Sequence, residues 1–322
     1  MSNRRRSDAF FETMVRMLSL VSVLVIAFIF VFVFLKAWPV IRESGAGLIA
    51  NAGFDRQISD AFYSAKDAPM LKFGLLGLIA GTAATTGVSL VFAAVLGIGA
   101  AVTIAELAPK GIGGVLTSIV RLLASIPSVI FGLVGIIVIV PFVEKTFITT
   151  EMQIQYLTHF QMTGRNLLSS VIVLTFMIVP MVISLSIDAL NAVPGIYRET
   201  GFAFGMSHFR VIWKIVLPSA RSGIIASIIL AAGRGIGEAI AVSMVCGGIG
   251  NIPDLSMGFV SLLTPVLTLS SAIVNKSEAM SVTSVESALF ACGAVLLVFG
   301  AVLSVFARLI ERRLRRNLGY DE

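Results

Sequence analysis

The chain has 322 residues, of which 57% are hydrophobic and 13% charged, with a mean hydropathy of +0.97. Soluble domains run nearer about 45–50% apolar and about 25% charged, so a soluble enzyme or regulator is excluded and an all-α integral membrane protein is expected. The formal net charge is +6, but the basic residues gather at the two ends and in one loop, which fits membrane orientation better than nucleic-acid binding.

Crossing a hydrocarbon core about 30 Å thick takes about 20 mostly apolar residues. The first such run, 17–35, exceeds the roughly 7–15 residues of a signal-peptide core and has no small-residue cleavage site after it. It reads as a first transmembrane helix, followed by Trp38–Pro39 and an outer loop. The second run, 73–104, carries Gly74, Gly77, Gly81, Gly87, Gly97 and Gly99 among alanines and threonines. Small residues of this kind let helix backbones approach closely inside a bilayer. The third run, 115–140, contains Pro127, and the fourth, 167–187, contains Pro180; both prolines are expected as kinks within spans. The fifth covers 220–245 and the sixth 288–310. With both termini in the cytoplasm, 15 Lys and Arg fall on inner segments and 8 on outer ones. The positive-inside rule favours that orientation.

Between the fourth and fifth spans lies DALNAVPGIYRETGFAFGMSHFRVIWKIVLP, residues 188–218. It is too polar to span. Pro194 and Gly195 open it, a short helix is expected over 196–204, and Gly205 stops that helix. Ser207 is placed to cap a second helix that starts near His208 and runs toward Pro218, where the fifth span begins. Phe202, Phe204 and Met206 fall near the corner. They form either a docking patch or an interfacial helix resting on the bilayer.

The fifth span contains AAGRGIGEAIAV, residues 231–242. Arg234 and Glu238 are four apart, which on a continuous helix puts both on one face, one turn from each other. A charge within a span is costly, and such residues usually face a pathway or a partner. A guanidinium offers a planar fork of donors suited to phosphate-like oxygens. Three readings stay open: the two charges neutralise each other, or they line a substrate pathway, or the pair is closed at rest and an anion competes with Glu238 for Arg234. No strand precedes these glycines, which excludes a dinucleotide fingerprint. Glu106 and Arg121 read as interfacial charges, Glu278 and Glu286 as solvated loop charges, and His159 and His208 as single residues without a metal site. Cys246 and Cys292 read as packed small side chains. No G-x-x-x-x-G-K-[ST] phosphate loop occurs, so the chain is not expected to bind ATP.

The spacing Glu199-Thr-Gly-x-x-x-Gly205, nine residues, then Ile215-x-Leu217-Pro218 resembles the EAA loop of type I ABC-importer permeases. Thr200 and Gly201 replace the two alanines of that motif. The stretches AELAPKG (105–111), ASIPSVIFGLVG (124–135) and GRGIGEAIAV (233–242) further resemble the PstC-type permeases of phosphate-specific ABC importers. The similarity runs from about residue 73 through the sixth span. It implies a six-span permease with one cytoplasmic coupling loop, organised as an N-terminal part (1–72), a permease core (73–310) and a basic tail (311–322). It also implies that Glu199, Phe202, Gly205 and Pro218 belong to the surface facing separate ATPase subunits, which bind the ATP; no cofactor is expected on this chain. The implied partners are a second permease of the PstA type, an extracytoplasmic phosphate-binding protein and membrane lipid, in a cell inner membrane, with no nucleic acid. Two alternatives remain at this level. One is an ABC permease for another oxyanion such as sulfate, molybdate or phosphonate. The other is an ion-coupled secondary transporter or channel, which predicts an internal repeat that the sequence does not display.

Overall fold

The computed structural model describes residues 2–64, 70–156 and 160–316. Lys66, His159 and the last six residues, 317–322, lie outside the described residues. Among the described residues the only strand-like pairing is an isolated parallel bridge between Gly247 and Val266. All other regular structure is helical. In chain order the helices are α1 (Ser2–Ser44), α2 (Gly47–Ala50), α3 (Phe54–Tyr63), α4 (Leu76–Val102), α5 (Lys110–Ala124), α6 (Ser128–Val134), α7 (Val140–Phe147) and α8 (Thr150–Tyr156). They continue with α9 (Leu167–Asn191), α10 (Gly195–Ala203), α11 (His208–Val211), α12 (Leu217–Gly237), α13 (Ile240–Val245), α14 (Leu269–Asn275) and α15 (Thr283–Arg316). Single π-helical turns extend α4 (Thr103–Leu107), join α6 to α7 (Gly135–Ile139) and join α11 to α12 (Ile212–Val216).

Six helical runs are long and apolar enough to cross a membrane: Phe11–Ser44, Leu76–Leu107, Ser128–Phe147, Leu167–Asn191, His208–Gly237 and Thr283–Ile310. The number agrees with the sequence reading, but two boundaries are corrected. Residues 115–140 do not form one kinked span. α5 ends at Ala124, and the third crossing run starts at Ser128. Pro127 has no N–H to give to an upstream carbonyl and biases Ile126 away from the helical region, so it separates two helices. Pro180, by contrast, stays inside α9.

The fifth run is also displaced. It begins at His208, well before Pro218, and its helix ends at Gly237 instead of reaching 245. The π turn accommodates the proline. Leu217 N–H reaches back five residues to the Ile212 carbonyl, and Ser219 Oγ donates to the Ile215 carbonyl at 2.7 Å. Pro218 then falls in the first turn of α12, where a missing N–H is tolerated. The sixth helix is longer than the expected 288–310 and continues through 311–316.

α9 is the central helix. It packs against α4, α5 and α12, and Leu174, Met177, Ile178 and Leu190 are fully buried there. α1 packs along α15 and leaves Phe28, Val31 and Leu35 exposed on its outer face. Lys36 on α1 pairs with Glu286 at 2.9 Å. Glu286 is therefore an ion-paired helical residue of α15, not a solvated loop charge.

The glycines of the second span divide into two groups. A Cβ at Gly77 would overlap the carbonyl oxygen of Gly250, and one at Gly81 would overlap that of Leu267. Gly87 has nothing within 4 Å of such a position. The first two let the 246–282 segment fold back onto α4. Asp55 holds the same segment from the side, accepting the Gly250 N–H at 2.6 Å and lying 2.8 Å from Lys276 Nζ. Gly77→Ala is expected to destabilise the protein by about 1–3 kcal/mol, because backbone cannot yield as a side chain can. Thermal unfolding in detergent checks this, with Gly87→Ala as the control that does not lower the midpoint.

Candidate functional site

The run Gly233-Arg234-Gly235-Ile236-Gly237 ends α12, and glycine lowers helix propensity there by about 1 kcal/mol per residue. Gly235 has a second role: a Cβ on it would sit 3.0 Å from Thr86 Cγ2 of α4. Glu238 leaves the helix in an extended conformation (φ −70°, ψ 112°), and α13 starts two residues later.

This break removes the same-face, one-turn placement that a continuous helix would give Arg234 and Glu238. Helical i,i+4 geometry requires the helix to continue through residue 238, and it does not. Arg234 lies in the last turn of α12, beside the carbonyl end of that helix, where a cation is favoured. Glu238 Oε1 accepts the Ala241 N–H at 3.0 Å at the amide end of α13, where an anion is favoured. Each charge thus answers a cut helix end. Among the described residues no ion pair joins the two, and Arg234 has no hydrogen-bond or salt-bridge partner; both side chains are half-buried.

The carbonyls freed by the break are met from another element. Ser270 Oγ on α14 lies 2.8 Å from the Glu238 carbonyl and 3.3 Å from that of Ile236. A capping box of Thr268 and Ser271 fixes the start of α14. Thr82 of α4 donates to its own Leu78 carbonyl at 2.7 Å and accepts the Leu269 N–H at 3.0 Å. The site is therefore a cut span, a short returning helix and a hydroxyl-bearing face of α4. Thr82 and Ser270 were missed by sequence reasoning. The available signal was the polar string Thr268-x-Ser270-Ser271, which has the form of a helix cap within an outer loop.

At the other end of the His208–Gly237 run, the 188–218 segment has the expected short helix, α10. Gly205 ends it in the left-handed region (φ +70°), with Gly205 N–H on the Phe202 carbonyl at 2.9 Å and Met206 N–H on the Gly201 carbonyl at 3.1 Å. That is a Schellman motif, and glycine alone adopts its key conformation without strain. Ser207 precedes the next helix as expected, but its side chain makes no capping bond. Glu199 is exposed and has no ion pair among the described residues; Phe202 and Pro218 are exposed, and Phe204 is 82% exposed. His208 stacks on Phe202, ring centroids 5.9 Å apart. Gly201 is buried, and a Cβ there would meet Ile215 Cδ1 at 2.7 Å and Val211 Cγ2 at 2.9 Å. Close packing, not only local propensity, accounts for glycine at this position.

Two charges expected near the membrane boundary, Glu106 and Arg121, are both ion-paired at this end of the bundle. Arg198 of α10 grips Glu106, with Nη2 to Oε1 at 2.6 Å and Nε to Oε2 at 3.3 Å. It also donates to the carbonyls of Val193 at 2.8 Å and Leu190 at 2.9 Å. Arg121 of α5 meets Asp188 of α9 at 2.7 Å.

Residues 93–316 match the family described as binding-protein-dependent transport system inner membrane component. A phosphate transport system permease protein PstC of Xylella fastidiosa (strain 9a5c) is 35% identical over 268 residues, covering 80% of each chain. The PstC of Mesorhizobium japonicum is 28% identical over 297 residues, covering 90% of this chain and 85% of its own. Among solved structures, the inward-facing MetNI methionine ABC transporter aligns with a TM-score of 0.52 at 17% identity, over 73% of this chain and 93% of that one, a likeness of fold.

Proposed function

The chain belongs to the family of binding-protein-dependent transport system inner membrane components, and we propose that it is the permease subunit through which an ATP-driven importer moves inorganic phosphate. It is a multi-pass membrane protein with six apolar helices. Relatives named PstC align with it over most of its length. The observation that carries the substrate reading is Arg234. It is a half-buried guanidinium at a cut helix end, with no carboxylate partner among the described residues. A planar cation so placed offers paired donors to a tetrahedral oxyanion. Glu238, held on α13, sets the other wall and repels an anion that is not engaged by Arg234.

In this reading both termini face the cytoplasm, on the side favoured by the Lys and Arg bias. The 188–218 segment then meets separate ATPase subunits, with Glu199, Phe202, Gly205 and Pro218 on or supporting the contact. A second permease of the PstA type completes the path, and an extracytoplasmic phosphate-binding protein delivers the substrate. ATP is bound by the partner subunits. Closure of the ATPases moves the loop end, and the spans swing between inward and outward access.

The test is radiolabelled phosphate uptake into cells that lack their own phosphate importer and express this chain with its partners. Uptake that excess unlabelled phosphate suppresses, and that sulfate, molybdate and phosphonate leave unaltered, supports the reading. Suppression by one of those oxyanions instead of phosphate reassigns the substrate. Uptake that persists when the ATPase subunit is inactivated rejects an ATP-driven importer.

A further inference from the structure

We propose that the Glu106–Arg198 pair is the strut through which movement of α10 is imposed on the second and fourth spans. The proposal rests on the reading of the 188–218 segment as the surface moved by ATP-hydrolysing partners.

α10 has nine residues and is joined to α9 only by 192–194. Helices this short have little stability of their own. The packing of Gly201 against Val211 and Ile215 ties α10 to the fifth span, but by itself leaves the second and fourth spans without a direct connection to α10. Arg198 supplies that connection. Its guanidinium uses Nε, Nη1 and Nη2 to bind three elements at once. The Leu190 carbonyl belongs to the last turn of α9, and that of Val193 to the link that follows. Glu106 belongs to the π turn that extends α4. The fork-to-carboxylate contact is two-point, which fixes orientation as well as distance. It is also sheltered: the Glu106 side chain is 7% exposed and that of Arg198 24%. Solvent and salt therefore screen it little.

The neighbouring Arg121–Asp188 pair offers an internal contrast. Its side chains are 57% and 52% exposed, and it also reaches α9. It does not include α10. An exposed pair of this type contributes little rigidity. The two pairs therefore share the same end of the bundle but differ in whether α10 is attached.

The strut predicts a defect in coupling rather than in assembly. The measurement uses the assembled transporter in proteoliposomes with its phosphate-binding protein, recording phosphate moved and ATP hydrolysed separately. Arg198→Gln and Glu106→Gln are expected to retain the ATPase subunits and to hydrolyse ATP, while phosphate moved per ATP falls about tenfold. The double variant is expected to be no worse than the weaker single, because both changes cut one connection. Arg121→Gln is expected to stay within about twofold of the wild type. Glu106→Asp, which keeps the charge but shortens the reach, is measured beside them. It is expected to lower the ratio as well, so the result is readable even if a neutralised variant fails to accumulate. An unchanged ratio in the Glu106 and Arg198 variants overturns the proposal. An equal fall in Arg121→Gln overturns it too, since attachment of α10 would then not be what matters. A wild-type complex that hydrolyses ATP without moving phosphate rejects the underlying functional reading before any variant is compared.

Discussion

Arg234→Gln will reduce phosphate uptake by about 10- to 100-fold while the protein accumulates normally in the membrane, the span expected for losing a hydrogen bond to a charged partner. The structure explains why abundance should hold. Arg234 has no carboxylate partner among the described residues, so its removal leaves no buried charge unpaired. Its favourable interaction with the end of α12 is worth only about 0.3–1 kcal/mol. The loss should therefore appear in transport and not in folding. Glu238→Gln separates the two charges. A glutamine oxygen can still accept the Ala241 N–H, so the start of α13 survives. If Glu238 acts only as that cap, uptake in this variant stays close to normal. Immunoblot-normalised uptake of both variants is the measurement. Near-normal uptake in Arg234→Gln removes Arg234 from the pathway.

Glu199→Lys will abolish copurification of the ATPase subunit without lowering the amount of permease. Glu199 is exposed on α10 and makes no ion pair within the described residues. Reversing its charge costs the isolated chain little, because surface substitutions of this kind fall within about 0.5 kcal/mol. At an interface the same reversal puts like charges together and costs several kcal/mol. The contrast between unchanged permease and absent ATPase is the diagnostic. Retention of the ATPase in Glu199→Lys would exclude Glu199 from the docking surface and leave the aromatic corner of Phe202 and Phe204 to carry it.

Much of this architecture was legible in the sequence because spans announce themselves by uninterrupted apolar length. The six runs and the Gly205 stop follow from local physics, namely bilayer thickness and the left-handed preference of glycine. What was not legible depended on partners distant in sequence. Pro127 and Pro180 look alike in the sequence, yet one separates helices and the other lies buried within a helix. The i,i+4 spacing of Arg234 and Glu238 suggested a pair, but three glycines and the Ser270 hydroxyl, 32 residues from Glu238, favour a break. Glu106 and Arg198 are 92 residues apart, so neither could be recognised as the other's partner. In the sequence Gly201 is only a departure from the alanine of the resembled motif; its reason is the close approach of Val211 and Ile215.

The π turn before Pro218 has a mechanical consequence. Because it absorbs the proline, the helix from His208 to Gly237 runs unbroken over 30 residues. At 1.5 Å per residue that is a lever about 45 Å long, with the 188–218 segment at one end and Arg234 at the other. A tilt of about 5° pivoted at the loop end would carry the far end through about 4 Å, enough to open or close a passage the width of a small anion. On the proposed function, the substrate passage and the ATPase contact are two ends of one rod, and the cut at Gly237 marks where that rod stops.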